Sequence, residues 1–154
     1  MVKIVQAETG EALEAARSLF EEYAASLEFD LSFQNFEQEL AYLPGEYAPP
    51  NGRLLLALYD GQLAGCVGLR KLEEGIGEIK RLYVRPPFRN LKIGKSLTEA
   101  IIAEAKSIRY ARVRLDTVPS MDRARALYGT LGFKEITPYR FNPIAGTAFL
   151  ELTL

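Results

Sequence analysis

Phe88-Arg-Asn-Leu-Lys-Ile-Gly-Lys-Ser-Leu97 is the stretch on which the reading of this chain turns. It joins a strand-like run at 78–84 to a helix-like run at 96–108. A strand, a short polar turn bearing Gly94 and a helix N-terminus form an arrangement that binds phosphate. The first-turn amides have no intrahelical acceptor, and the helix dipole adds partial positive charge there. Arg89, Lys92 and Lys95 set three cations around the turn, and Gly94 leaves the backbone open to an anion. Basic strand–helix turns also occur with nothing bound, so this stretch by itself leaves both readings open.

Outward from the turn, the composition sets bounds. A chain of 154 residues with 48% hydrophobic and 25% charged content is expected to form one domain, residues 1–154, with a sizeable core. No apolar run approaches membrane-spanning length, and the first residues lack an apolar signal core, so a cytoplasmic location is expected. The single cysteine, Cys66, admits no internal disulfide and sits in an apolar run as a small core residue. The chain has no histidine, which excludes Ser-His-Asp and Cys-His machinery and any His-bearing zinc site; no metal is expected. Proton transfer near neutral pH falls to Glu, Asp, Tyr, Lys, a substrate amine or water.

The net charge of -1 is unevenly distributed. Residues 1–50 hold ten acids against Lys3 and Arg17, whereas residues 79–125 hold twelve bases against Glu99, Glu104, Asp116 and Asp122. Solvated surface accounts for many of these charges. The functional alternative is a basic half for an anionic cofactor and an acidic half for a cationic or amine substrate. Nucleic acid is not an expected partner, because the bases lack interleaved aromatics.

Periodicity predicts a strand at 2–6, a helix at 11–26 capped by Thr9, and a short helix at 33–42 capped by Ser32. A breaker-rich loop covers 43–52. Apolar runs 53–59 and 62–71 joined by Asp60-Gly61 predict a hairpin, and 75–85 a third antiparallel strand stopped by Pro86-Pro87. A helix at 94–107, a strand at 111–116, a helix at 120–131 ended by Gly132, and strands at 133–139 and 147–154 complete one α+β or α/β domain.

Three stretches, Gly-Glu-Ile-Lys-Arg-Leu-Tyr-Val-Arg-Pro (77–86), Arg89-Asn-Leu-Lys-Ile-Gly94 and Ala126-Leu-Tyr-Gly-Thr-Leu-Gly-Phe133, resemble the GNAT superfamily of N-acetyltransferases. The resemblance is close over 53–137 and follows element order along the whole chain. It implies a GNAT-type α/β (α+β) fold, with a mixed, mostly antiparallel sheet of about seven strands flanked by about four helices. It also implies acetyl transfer from acetyl-CoA to a primary amine, on a small molecule or an exposed amino group. A homodimer is compatible with it, and no membrane partner is implied.

The family's turn motif, Arg/Gln-x-x-Gly-x-Gly/Ala, binds pyrophosphate through backbone amides. Arg89 and Gly94 match it, whereas Lys92 stands where the first glycine is expected. The cofactor-binding set implied is therefore Leu82, Tyr83 and Val84 on the strand, then Arg89, Asn90, Leu91, Lys92, Ile93, Gly94, Lys95 and Ser96. The amide of Lys92 remains a donor if its backbone angles suit a non-glycine residue, and Asn90 tolerates a left-handed conformation.

Two side chains are implied as catalytic. Tyr128, in Leu127-Tyr-x-x-x-Gly-Phe133, is the candidate acid for the departing thiolate; its alternative is a core tyrosine on the face shared by Ala124, Leu127 and Leu131. Glu78 is the candidate base, placed by alternation on one face with Lys80, Leu82 and Val84; its alternative is an ion pair with Lys80 or across the strands. Asp116 reads as a cap or a partner of Arg123 that could also line the cleft, and Arg123 and Arg125 as solvated or phosphate-binding cations. The aromatic, acidic segment 23–47 is expected over the substrate side. The competing readings are a degenerate domain that binds CoA or a protein without catalysis, and a nucleotide-binding domain. The latter is weakened because Arg89 occupies the first-glycine position of a Walker motif ending at Gly94-Lys95-Ser96.

Overall fold

The computed structural model describes residues 1–154 apart from 28, 29, 32–34 and 120. Among the described residues seven strands form one sheet: β1 (Val2–Gln6), β2 (Arg53–Tyr59), β3 (Gln62–Glu73), β4 (Ile76–Val84), β5 (Arg112–Thr117), β6 (Lys134–Ile136) and β7 (Ala148–Thr153). Their spatial order is β1-β2-β3-β4-β5-β7-β6, and every pairing is antiparallel except β4 with β5. The helices are α1 (Gly10–Ser26), α2 (Phe36–Ala41), α3 (Ile93–Ile108) and α4 (Asp122–Thr130). No helix among the described residues is long and apolar enough to cross a membrane.

The β2–β3 hairpin forms where Asp60-Gly61 predicts it, both residues adopting positive φ (49° and 82°) to match the strand twist. Residues 54–59 of β2 and 63–69 of β3 carry no charged or polar-uncharged side chain other than the Tyr59 hydroxyl, because both faces of the sheet are covered there. Leu55, Ala57 and Val67 pack with Ile93, Leu97, Ile101 and Ala105 of α3. Leu54, Leu56 and Cys66 pack on the other side with Ala16, Leu19 and Phe20 of α1. Fully burying a side chain of this size contributes about 1.5–3 kcal/mol, so the two layers together hold α1 and α3 against the sheet. Cys66 is wholly buried, its thiol donates to the Arg81 carbonyl at 3.4 Å, and burial pushes its pKa up; it is a core residue.

Several boundaries differ from the sequence pattern. Helix α2 begins only at Phe36, after Asn35 in a left-handed conformation (φ 56°); the expected start at 33 and the Ser32 cap lie outside the described residues. Thr9 holds the N-cap position of α1 but makes no side-chain capping bond. The strand expected at 133–139 stops at Ile136, before Pro138 removes a ladder donor. Helix α4 starts at Asp122, and its expected start at Ser120 is outside the described residues. At its other end Gly132 takes φ 96° while Phe133 N donates to Tyr128 O at 3.1 Å, closing the helix as predicted.

The largest correction is in β4. Its pairing with β3 passes from Gly68↔Lys80 to Cys66↔Tyr83, so β4 carries one extra residue. Arg81 supplies it, with φ 61°. A bulge shifts the alternation, so Leu82 and Val84 pack with the α3 layer while Tyr83 packs with the α1 layer. The single face expected for Glu78, Lys80, Leu82 and Val84 therefore breaks after Lys80.

Candidate functional site

β4 and β5 pair only from Ile76↔Arg112 to Glu78↔Arg114. Beyond Glu78 they part, because β4 is bulged toward β3 while β5 stays with β7 from Arg112↔Thr153 to Thr117↔Ala148. The opening is a cleft walled by residues 79–82 of β4, Leu115 to Thr117 of β5, and Tyr128 of α4, with Tyr23 of α1 and Asn142 of the β6–β7 connection at its other side. Tyr83 and Val84 pair with Cys66 and Gly65 along one edge, which leaves the opposite edge of β4 turned toward β5.

At the end of β4 the chain makes a 3-10 turn, Pro86–Phe88, and enters α3 through two left-handed residues, Asn90 (φ 72°) and Lys92 (φ 61°). Lys92 thus takes the conformation a glycine would adopt without strain, at a cost of about 1–2 kcal/mol. The amides of residues 90–95 have no acceptor among the described residues; the first back-bond of the helix is Ser96 N to Lys92 O at 3.1 Å. A Cβ on Gly94 would meet nothing closer than 3.9 Å, and its φ is not positive, so the fold itself does not require glycine there. Arg89, Lys92 and Lys95 are exposed around this end, as expected. Arg89 bends back, donating from Nε to Val84 O at 3.0 Å with its guanidinium 5.9 Å from the Tyr83 ring. Leu91 is exposed, but Ile93 is buried in the α3 core, so only its backbone is available to a ligand.

Tyr128 lies in the cleft wall, 5% exposed, its ring 5.4 Å from that of Phe133. Its hydroxyl makes no hydrogen bond among the described residues, and burial, followed by the charges of Tyr23 and Asp116, raises its pKa well above the usual phenol. The buried Thr117 hydroxyl, in the same cleft, also has no partner among the described residues. The Thr117 hydroxyl is therefore held buried and unpaired inside the opening, the condition in which a bound polar group is favoured.

Glu78 is completely buried. Its carboxylate accepts from Arg70 Nε across the strand (3.0 Å), from both terminal nitrogens of Arg140 (2.7 and 2.9 Å) and from the Tyr139 hydroxyl (2.9 Å). Burial raises its pKa, but the charges of Lys80, Arg140 and Arg70 overcome this and leave it below the usual carboxylate range. The cross-strand ion pair read as the alternative to a base is present. A proton acceptor at this position would first have to release a guanidinium.

Asp116 lines the cleft and accepts from Asn142 Nδ2 at 3.4 Å, while Arg125 donates to the carbonyls of Thr117 and Gly146 (2.9 and 2.7 Å) and so ties the end of β5 to the β6–β7 connection. At least four of the ten acids of residues 1–50 are engaged in ion pairs: Glu14 with Arg17, Glu22 with Arg85, Glu39 with Arg81 and Glu46 with Arg70. Of the aromatic, acidic segment, Tyr23 and Leu31 reach the cleft; Glu28, Phe29 and Phe33 lie outside the described residues. Lys80 and Arg81 went unnoticed in the sequence as site residues. The available signal was three charges, Glu78, Lys80 and Arg81, inside a strand whose neighbours are apolar.

Residues 8–133 match the model of the acetyltransferase (GNAT) family. An uncharacterized N-acetyltransferase of Dictyostelium discoideum is 34% identical, covering 100% of this chain and 99% of that protein. Another of Schizosaccharomyces pombe is 38% identical over 92% of this chain and 88% of its own length. Among solved structures, the paiA N-acetyltransferase of Thermoplasma acidophilum in complex with coenzyme A superposes with a TM-score of 0.74 at 20% identity, covering 100% of this chain and 99% of that one.

Proposed function

Because this chain belongs to the acetyltransferase (GNAT) family, we propose that it transfers the acetyl group of acetyl-CoA to a primary amine, and that the transfer takes place in the β4/β5 cleft. The observation that carries the reading is the α3 N-terminus. There six consecutive amides, residues 90–95, lack acceptors among the described residues beside three exposed cations, and Gly94 sits where the fold has room for a side chain. A pyrophosphate fits that chemistry through amide donors and the helix dipole. The solved relative named as a coenzyme A complex supports the same choice of ligand.

Acetyl-CoA supplies an acyl group activated as a thioester. The residues of the chain do the rest. The turn from Asn90 to Lys95 binds the phosphates, and the open edge of β4 near Tyr83 and Val84 offers backbone groups to the amide-bearing arm and to the acyl carbonyl. Leu82 and Val84 give the arm an apolar wall. Tyr128 holds its proton throughout the physiological range and delivers it to the departing sulfur. Burial makes the phenol a weaker acid, but it makes the thiolate a stronger base in the same dry cleft, so the transfer stays close to balanced. Glu78 serves as the anchor of the acceptor wall through Arg70 and Arg140, and the amine passes its proton to water.

Amines screened with acetyl-CoA, with free thiol as the readout, test this directly. At least one acceptor class should raise thiol release well above the rate of acetyl-CoA alone. A panel in which no amine raises it would overturn the reading.

A further inference from the structure

The end of β5 carries a buried hydroxyl that the fold leaves without a partner. Thr117 is 3% exposed and lines the cleft, and its Oγ1 bonds to nothing among the described residues. Thr98, the other buried threonine among them, donates its hydroxyl to Gly94 O at 2.7 Å, so the lack is particular to Thr117. The backbone around Thr117 is fixed: β5 pairs with β7 at Thr117↔Ala148, and Arg125 donates to the Thr117 carbonyl at 2.9 Å. Along β5 the buried positions alternate as Val113, Leu115 and Thr117, and the first two pack in the α3 layer. Thr117 therefore faces the α3 layer, while Asp116 faces the side of α1. The cavity residues of the α3 layer are Ile79, Leu82, Leu115, Ala124 and Tyr128. Thr117 and Tyr128 thus bring two hydroxyls to an otherwise apolar wall.

An unpaired hydroxyl in such a wall costs stability, and a valine would fill the same space on a strand without that cost. The cost is recovered when a ligand brings a hydrogen-bonding atom to the hydroxyl. We propose that Thr117 binds the substrate during acetyl transfer, its hydroxyl donating to the carbonyl oxygen of the acetyl group from the β5 wall. The reacting end of the acetyl-bearing arm has two polar positions, the carbonyl oxygen and the sulfur, and only the oxygen is a strong acceptor. Tyr128 is left to serve the sulfur, and the open edge of β4 meets the same oxygen from the opposite wall. Negative charge grows on this oxygen while the amine nitrogen bonds to the carbonyl carbon, and leaves it as the carbon–sulfur bond breaks; the Thr117 donor stabilises that charge. Thr117 keeps its proton throughout, while the sulfur takes one from Tyr128 and the amine gives one to water. The inference rests on the acetyltransferase reading given above.

Thr117→Val keeps the branched shape and deletes the hydroxyl, whereas Thr117→Ser keeps the hydroxyl. The valine variant should melt at the wild-type temperature or a few degrees above it, since no partner is stranded. Its turnover should fall about a hundred-fold, the loss of one donor to the developing charge, and the serine variant should recover most of that fall. Calorimetry supplies a readout apart from turnover. Affinity for acetyl-CoA should drop about two- to ten-fold in the valine variant, while affinity for CoA, which lacks the acetyl carbonyl, stays unchanged. Thr117→Ala, which adds no atoms to the wall, gives the same comparison should the valine variant not fold. Unchanged turnover in a folded valine or alanine variant would overturn this inference alone and assign the hydroxyl to the fold or to a bound water. Equal losses of CoA and acetyl-CoA affinity would also overturn it, as a defect of the cleft wall. Failure of the wild type to bind CoA would overturn the acetyltransferase reading and this inference with it.

Discussion

Tyr128→Phe should lower turnover by about ten-fold to a thousand-fold, the scale of general acid catalysis, with little change in CoA affinity or melting temperature. The substitution keeps the ring, and with it the packing against Phe133. It deletes a hydroxyl that bonds to nothing among the described residues, so no donor or acceptor is left stranded. Stability should therefore hold or rise slightly, so a fall in turnover would not come from unfolding. A core tyrosine would give normal turnover with the same small change in stability, so turnover is the readout that separates the two. The raised phenol pKa also predicts that the wild-type rate shows no loss on the alkaline side near pH 10, where an ordinary tyrosine would ionise. Steady-state kinetics on the true acceptor, beside melting curves, decide the matter; normal turnover in the variant would return Tyr128 to the core.

Glu39→Gln should destabilise the fold by roughly 3 kcal/mol, the low end of the cost of breaking a buried ion pair. That corresponds to a fall in melting temperature of about 6–12 °C for a chain of this size. The pair is well enclosed, its side chains 2% and 10% exposed, and its two hydrogen bonds join α2 to the bulge in β4. The Arg81 guanidinium also stacks 5.3 Å from the Phe36 ring and 5.9 Å from Tyr23. Its loss would loosen the residue that sets the phase of β4 beside the cleft, so acceptor KM should rise as well. Glu37→Gln on the exposed side of the same helix is the control and should stay within about 0.5 kcal/mol. Equal melting temperatures for both variants would show the Arg81–Glu39 pair to be dispensable.

The order of elements was legible in the sequence because most strands and helices end at residues with a local mechanism. Asp60-Gly61 turns the hairpin, Pro86-Pro87 ends β4, and Gly132 closes α4. The turn from Arg89 to Lys95 was legible as a basic strand–helix turn for the same reason, since its shape depends on local backbone alone. The bulge at Arg81 was not. Nothing in Lys80-Arg81-Leu82 marks a positive φ on a β-strand arginine; the conformation is held by the Glu39 pair from a distant helix, and the face assignment built on strict alternation failed with it. Glu78 shows the same limit. Its register partner Arg70 is eight residues away, but Arg140 and Tyr139 come from a connection that sequence periodicity reads only as the end of a strand. The unequal halves of charge were visible, but not that Glu22 and Glu39 of the acidic half pair with Arg85 and Arg81 of the basic one.

The central claim is that the amides and cations at the start of α3 hold the phosphates of acetyl-CoA. Titration calorimetry of CoA into the wild type and into Gly94→Asp tests it most directly. A side chain fits at this position, where a Cβ meets only Leu127 and Val84, both at 3.9 Å, so the variant should fold normally. It places bulk and a like charge beside the phosphates, and we expect CoA affinity to fall at least ten-fold, with the wild-type affinity weakening as salt rises. Unchanged CoA affinity in a folded Gly94→Asp protein would contradict the assignment.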